Sequence, residues 1–87
     1  MKQEIFKILT NQQLAKDVYR MTLTGDTCGI RPGQFVNIKL DGLYLRRPIS
    51  VCDCVGCVLT LIYKVVGKGT ELMSKMTQCE ELDVLTG

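Results

Sequence analysis

The clearest strand of the chain, and the turn that follows it, lie in Val58-Leu59-Thr60-Leu61-Ile62-Tyr63-Lys64-Val65-Val66-Gly67-Lys68-Gly69-Thr70. Every second residue from position 59 to position 65 is apolar or aromatic, which is the period of a strand with one face toward a core. The glycines after Val66 predict a turn, and threonine is a residue type that caps helix N-termini. The sequence therefore predicts a helix that begins near Glu71, with Thr70 as its N-cap.

The remainder of the chain also shows mostly a period of two. Residues 19–24 and 36–40 alternate regularly, and residues 4–10 and 81–85 are further predicted strands with weaker patterns. Turn sequences separate these segments, at Gly25-Asp26, Pro32-Gly33, Asp41-Gly42 and Val55-Gly56. Because Asp-Gly between two apolar strands favours a tight connection, Asp41-Gly42 predicts a two-residue hairpin.

Only one stretch has helical spacing. Met76 lies three residues after Met73 and four after Leu72, and the pattern ends near Thr77. About six strands and one helix, with turns at regular short intervals, predict an all-β fold. A small antiparallel barrel is the architecture that such a pattern favours.

The composition narrows the function classes. The 87 residues have a net charge of +2 with scattered Arg and Lys, which argues against a nucleic-acid partner. The apolar runs are shorter than a membrane span, and no signal-peptide core follows Met1, so the sequence predicts a cytoplasmic protein. The absence of histidine removes the commonest general base, so any chemistry would need a bound cofactor.

Two segments have the composition of an anion site. Arg46-Arg47-Pro48-Ile49-Ser50 places guanidinium groups and a hydroxyl at the start of a predicted strand. Gly67-Lys68-Gly69-Thr70 places free backbone N–H groups before a helix, where the helix dipole also favours negative charge. Since a guanidinium forms paired hydrogen bonds to phosphate, the two segments together predict a site for a ligand with a diphosphate and a polar ring.

These motifs, in this order, resemble the flavin-binding barrel of the ferredoxin reductase superfamily. Within that superfamily the chain is most similar to the electron transfer subunit of class-B dihydroorotate dehydrogenase. The context agrees, with Arg31-Pro32-Gly33-Gln34-Phe35-Val36 before one strand and Leu61-Ile62-Tyr63-Lys64-Val65 before the glycine turn. The resemblance covers nearly the whole chain and implies a six-stranded antiparallel Greek-key barrel with one short helix, formed by residues 1–87.

The resemblance also implies roles for individual residues. Arg47 would pair with the diphosphate of FAD, and Ser50 would hydrogen-bond the isoalloxazine near N5. Ile49 stands where most members of the superfamily stack a tyrosine on the flavin. The full set of residues implied to bind FAD is Arg47, Pro48, Ile49, Ser50, Ile62, Tyr63, Lys64, Gly69 and Thr70.

By resemblance, the complete subunit passes electrons from NADH through FAD and a 2Fe–2S cluster to an FMN-containing dihydroorotate dehydrogenase catalytic subunit in pyrimidine biosynthesis. The nicotinamide-binding domain and the cluster ligands would follow Gly87, so the 87 residues alone are expected to be inactive. One alternative is the FAD domain of a related NAD(P)H–ferredoxin or sulfide dehydrogenase subunit. A second alternative, from another class, is a cofactor-free β-barrel interaction module.

Five cysteines raise the question of a metal site. Cys52, Cys54 and Cys57 are closely spaced, and strand residues two apart share a face, so Cys52 and Cys54 are candidates to converge. A fourth ligand is hard to find, and the cluster of the resembled family is held by cysteines that this chain does not contain. The sequence therefore predicts ordinary reduced thiols and no metal site.

Overall fold

The computed structural model describes residues 2–40 and 42–86, and within them six strands and one helix form in the predicted order. The elements are β1 Lys2–Ala15, β2 Val18–Thr24, β3 Phe35–Lys39, β4 Arg47–Val55, β5 Val58–Lys64, α1 Lys68–Ser74 and β6 Glu81–Thr86. The first strand is longer than the predicted 4–10, because its second half continues as a ribbon paired with β2 alone.

The strands close into a barrel in the order β1-β2-β5-β4-β3-β6. Every pairing is antiparallel, and the first and last strands meet to close the barrel. The strand order departs from the chain order, because β2 pairs with β5 rather than with β3, and β3 pairs with β6 as well as with β4. The predicted six-stranded antiparallel Greek-key barrel with one short helix is confirmed.

The period of two places the core. On β5, Leu59, Leu61 and Tyr63 point inward, and cross-strand pairing aligns Leu61 with the buried Met21 of β2. Each fully buried side chain of this size contributes roughly 1.5–3 kcal/mol. A shift of one residue in register would expose this whole set, so burial fixes the register. The buried apolar residues are Phe6, Ile8, Met21, Leu23, Ile30, Val36, Ile38, Leu40, Ile49, Val51, Leu59, Leu61, Tyr63, Met73, Leu82 and Val84.

Helix α1 covers one part of the barrel and begins earlier than predicted. Its N-cap is Gly67, with extended backbone, and its first residue is Lys68, so the predictions of Thr70 as N-cap and of a start near Glu71 are wrong. Thr70 instead caps the helix from inside the first turn. Its hydroxyl accepts hydrogen bonds from Val66 N–H (2.9 Å) and Gly67 N–H (3.3 Å) and donates to the Gly67 carbonyl (3.2 Å).

The helix ends at Ser74 rather than near Thr77. No helix within the described ranges is long and apolar enough to cross a membrane. The helix is held to the barrel at its C-terminal end by Asn11 of β1. The Asn11 amide donates to the carbonyl oxygens of Met73 (2.8 Å), in the last turn of the helix, and of Met76 (2.9 Å), just beyond it.

The turn predicted at Val55-Gly56 is confirmed as a tight connection, whereas the tight hairpin predicted at Asp41-Gly42 is not. β3 ends at Lys39 and β4 begins at Arg47, so the two strands do form a hairpin, but its connection is longer than the predicted two residues. Gly42 has a φ of +79°, and Asp41 lies outside the described residues. Two-residue connections instead join β1 to β2 and β4 to β5, with positive φ at Asp17 (61°) and Gly56 (58°).

Candidate functional site

The barrel opens between β4 and β5. Near the tight turn these strands are paired, from Val55–Val58 to Val51–Leu61, and no further pair joins them among the described residues. Beyond that point residues 47–50 of β4 pair only with β3, and residues 62–64 of β5 pair only with β2. A gap therefore separates the start of β4 from the end of β5.

The two facing edges of this gap present unpaired main-chain groups. The Val51 N–H donates to the Gln34 carbonyl (2.7 Å) on the side away from the gap, and the Val65 N–H donates to a carbonyl of the β1–β2 turn (2.7 Å). Successive residues of an antiparallel strand direct their main-chain groups to opposite edges. Ser50 and Lys64 therefore direct their N–H and C=O groups into the gap, where a bound molecule with polar edges would satisfy them.

The gap forms a cleft of about 220 Å³, which we call the seam cleft. Every residue that the sequence implied for FAD, with the exception of Gly69, lines it. The lining residues are Arg47, Pro48, Ile49, Ser50, Ile62, Tyr63, Lys64, Val66 and Thr70. The sequence did not predict Val66 as a site residue. Its side chain is exposed (61%) because it lies beyond the end of β5, and the alternating pattern of the strand does not indicate this.

The side chains in the seam cleft divide by strand face. Ser50, Ile62 and Lys64 point out of the barrel and are exposed. Ile49 and Tyr63 point into the core and retain only 5% and 4% of their exposure. Ile49 is a core residue, so its side chain offers no large surface on which a ring could stack. This agrees with the sequence, which has isoleucine where most members of the superfamily have a tyrosine.

Tyr63 is fixed by two contacts behind the cleft. Its hydroxyl donates to the Asn11 Oδ1 (2.8 Å), and its ring stacks on that of Tyr19 with centroids 5.8 Å apart. Burial raises the pKa of Tyr63 to about 12. The phenol therefore stays neutral at physiological pH, and Tyr63 supports the cleft rather than offering it a charge or a hydroxyl.

Thr70 is likewise committed to the protein. Its side chain is buried, with 2% exposure, and its hydroxyl already makes the three hydrogen bonds within the turn before α1. A hydroxyl has one donor and two acceptor positions, so all three are used. The hydroxyl thus shapes the turn before α1 in this structure, and its implied contact with a diphosphate stays a prediction.

The two adjacent arginines have different surroundings. The Arg46 guanidinium pairs with the Asp83 carboxylate (3.0 Å) and also donates to the main-chain carbonyls of Asn37 and Asp83 (3.3 Å each). Arg47 is exposed, and no carboxylate within residues 2–40 and 42–86 pairs with it. Arg46 is therefore a structural residue, whereas Arg47 brings an uncompensated positive charge to the cleft.

A second, open cleft of about 540 Å³ adjoins the first and shares Arg47 and Pro48 with it. We call it the loop cleft, and it is lined by Leu43, Tyr44, Leu45, Arg46, Arg47, Pro48 and Gly69. Gly69 packs closely against the lining of this cleft. A Cβ at this position would lie 3.2 Å from the terminal methyls of Leu40 and Leu43 and 3.9 Å from the Arg47 Cδ.

The three closely spaced cysteines do not converge. The pairing of β4 with β5 shifts between Val51 and Asp53, which marks a bulge at Cys52. Cys52 is consequently exposed, whereas Cys54 packs against the core, so the expectation that they share a face is wrong. Among the described residues, no group of three or more Cys, Asp or Glu side chains is arranged to hold a metal ion.

Comparisons with known proteins indicate which proteins the chain resembles. No family model matches the chain. It is 43% identical over 90 residues to the dihydroorotate dehydrogenase B (NAD(+)) electron transfer subunit of Enterococcus faecalis, aligning over 97% of this chain and 34% of the relative. The subunit of the same name from Fusobacterium nucleatum is 42% identical over 93 residues, covering 98% of this chain and 36% of the relative.

A solved structure has the same fold. A chain of the NADH-dependent reduced ferredoxin-NADP oxidoreductase, solved for insights into flavin-based electron bifurcation, superimposes with a TM-score of 0.83 and 29% identity. The match covers 92% of this chain and 31% of that one. The chain thus spans about a third of the length of the proteins it matches. It is a homologue, over that part of their length, of the electron transfer subunits of dihydroorotate dehydrogenase B.

Proposed function

We propose that this chain is the FAD-binding barrel of an electron transfer subunit. The observation that carries the proposal is the seam cleft, where two strands of an otherwise closed barrel separate beside an unpaired arginine. The names of the relatives support an electron transfer role, and the flavin chemistry of the structural neighbour supports a flavin.

The residues of the seam cleft fit a flavin ring. An isoalloxazine combines apolar faces with an edge of alternating hydrogen-bond donors and acceptors. The gap offers both kinds of surface. The exposed side chains of Pro48 and Ile62 are apolar, and the main-chain N–H and C=O groups of Ser50 and Lys64 point into the gap. Pro48 has no N–H group to leave unsatisfied on the gap side, so proline is tolerated at this edge.

The diphosphate of FAD fits the side of the seam cleft where Arg47 lies. A guanidinium without a carboxylate partner supplies paired, charge-assisted hydrogen bonds to phosphate oxygens. Gly69 lies against the Arg47 side chain and permits the approach of α1 to this position. The contribution of the turn before α1 is therefore close packing and main-chain polarity, while Arg47 supplies the charge.

FAD, when bound, would supply the hydride and single-electron chemistry, and this chain would bind and orient it. In the whole subunit we infer a path from NADH through FAD and a 2Fe–2S cluster to an FMN-containing dihydroorotate dehydrogenase catalytic subunit. The nicotinamide site and the cluster ligands would belong to the part of the relatives that this chain does not span. The ferredoxin-NADP oxidoreductase neighbour favours one alternative, an FAD barrel that serves a different electron acceptor.

The direct test is a calorimetric titration of the 87-residue protein, freed of any flavin, with FAD, FMN and riboflavin. We expect FAD to bind more tightly than FMN, because Arg47 would contact a diphosphate that FMN lacks. A purified protein that is yellow, has a flavin absorption spectrum and releases FAD on extraction would agree with this result. Absence of binding by all three flavins would refute the proposal and favour the cofactor-free interaction module.

The exposed hydroxyl of Ser50 gives a second prediction. Ser50→Ala removes one neutral hydrogen bond, so we expect FAD affinity to fall by only about 0.5–1.5 kcal/mol. The midpoint potential of the bound flavin should shift more clearly, because a donor or acceptor beside the reactive ring favours one oxidation state. The matched control is Ser74→Ala on α1, whose hydroxyl bonds the Glu71 carbonyl within the helix. An equal potential for all three proteins would contradict the placement of Ser50 beside the ring.

A further inference from the structure

The loop before β4 exposes apolar side chains that do not pack against the barrel. Tyr44 retains 98% and Leu45 76% of their possible exposure. Leu43 anchors the loop, because it packs against the core and its N–H donates to the Leu40 carbonyl (3.1 Å). Adjacent exposed apolar residues beside a cleft are typical of a binding surface.

The position of these side chains indicates what binds them. The loop cleft and the seam cleft meet at Arg47 and Pro48. If a diphosphate lies at Arg47 and a flavin ring occupies the seam cleft, the other end of the dinucleotide is directed toward the loop cleft. Arg46 also lines this cleft, but its guanidinium is occupied by Asp83, so Tyr44 is the aromatic surface available there.

We propose that Tyr44 and Leu45 form a binding site for the purine ring of a dinucleotide, with Tyr44 stacking on the ring. The proposal deepens the proposed function, on which it rests, by assigning the part of the surface that distinguishes FAD from FMN. Stacking on an aromatic side chain contributes about 1–3 kcal/mol for one base. A tyrosine provides this area at a small cost in side-chain entropy.

The test compares flavins that contain and lack the purine. Tyr44→Ser should weaken FAD binding about fivefold to more than a hundredfold, the fold-change that corresponds to such stacking, and leave FMN and riboflavin binding unchanged. Tyr44→Phe should retain FAD affinity because it keeps the ring. The matched control is Val55→Ser, since Val55 is also exposed (69%) but lies at the other end of β4. That change should affect no flavin.

A second measurement does not depend on flavin. The sequence contains no tryptophan, so Tyr44→Trp introduces a single reporter. ADP should quench the emission of this variant, and inorganic pyrophosphate should not. If wild-type protein binds FAD but Tyr44→Ser leaves FAD affinity unchanged, or lowers FAD and FMN affinity equally, the purine site is refuted and the proposed function stands. If wild-type protein binds no flavin, the proposed function itself fails.

Discussion

Arg47→Ala should raise the dissociation constant for FAD by about tenfold to more than a hundredfold. The reason is the loss of a charge-assisted hydrogen bond to the diphosphate, which is worth about 1.5–3 kcal/mol. The free energy of unfolding should barely change, because Arg47 is exposed and has no carboxylate partner within the described residues. Calorimetry with FAD and urea denaturation of the flavin-free protein measure the two effects separately.

The neighbouring arginine is the matched control, since it has the same side chain one position earlier. Arg46→Ala removes a half-buried ion pair with Asp83 and two hydrogen bonds to main-chain carbonyls. We expect it to lower the free energy of unfolding by about 1–3 kcal/mol. At a temperature where the variant remains folded, its FAD affinity should fall much less than that of Arg47→Ala, because the Arg46 guanidinium is already paired with Asp83. The reverse pattern, with Arg46 controlling affinity and Arg47 stability, would exclude the assigned roles.

The barrel could be predicted because its signals are local. The alternation within β5 is enough to place Leu59, Leu61 and Tyr63 on one face, whatever the neighbouring strands are. Turn residues mark where each strand begins and ends. The residues of the candidate site were brought together by a resemblance of motifs, and the structure places them in one cleft with the exception of Gly69. The opening between β4 and β5 was not predictable, because it depends on which strands pair and where the pairing stops.

Side-chain partners distant in sequence explain the other differences. Arg46 and Arg47 are indistinguishable as residue types, and their roles separate only because Asp83 of β6 lies within reach of one of them. Thr70 was expected to cap α1 from outside because threonine is common there, yet from the first turn its hydroxyl accepts from the N–H groups of Val66 and Gly67, which precede the helix. The Asp-Gly hairpin signal failed because the connection from β3 to β4 contains the longer segment that lines the loop cleft.

Asn11 is the residue whose loss should destabilise the fold most among the polar residues near the site. Its amide N–H groups hold the carbonyls of Met73 and Met76 at the end of α1, and its carbonyl oxygen accepts from the Tyr63 hydroxyl. One side chain thus joins β1, β5 and the helix. Nothing in the sequence marks it, because an asparagine on an alternating strand normally faces solvent.

Asn11→Ala should lower the free energy of unfolding by about 2–4 kcal/mol, since three hydrogen bonds are lost and the buried Tyr63 hydroxyl is left without an acceptor. Tyr63→Phe should cost less, about 0.5–1.5 kcal/mol, because the half-buried Asn11 amide keeps its two bonds to the helix. In the Asn11→Ala background, Tyr63→Phe should be neutral or stabilising, because it removes the unsatisfied hydroxyl. Urea denaturation of the four proteins measures this double-mutant cycle, and simple addition of the two single effects would show that the Asn11–Tyr63 hydrogen bond does not couple the strands.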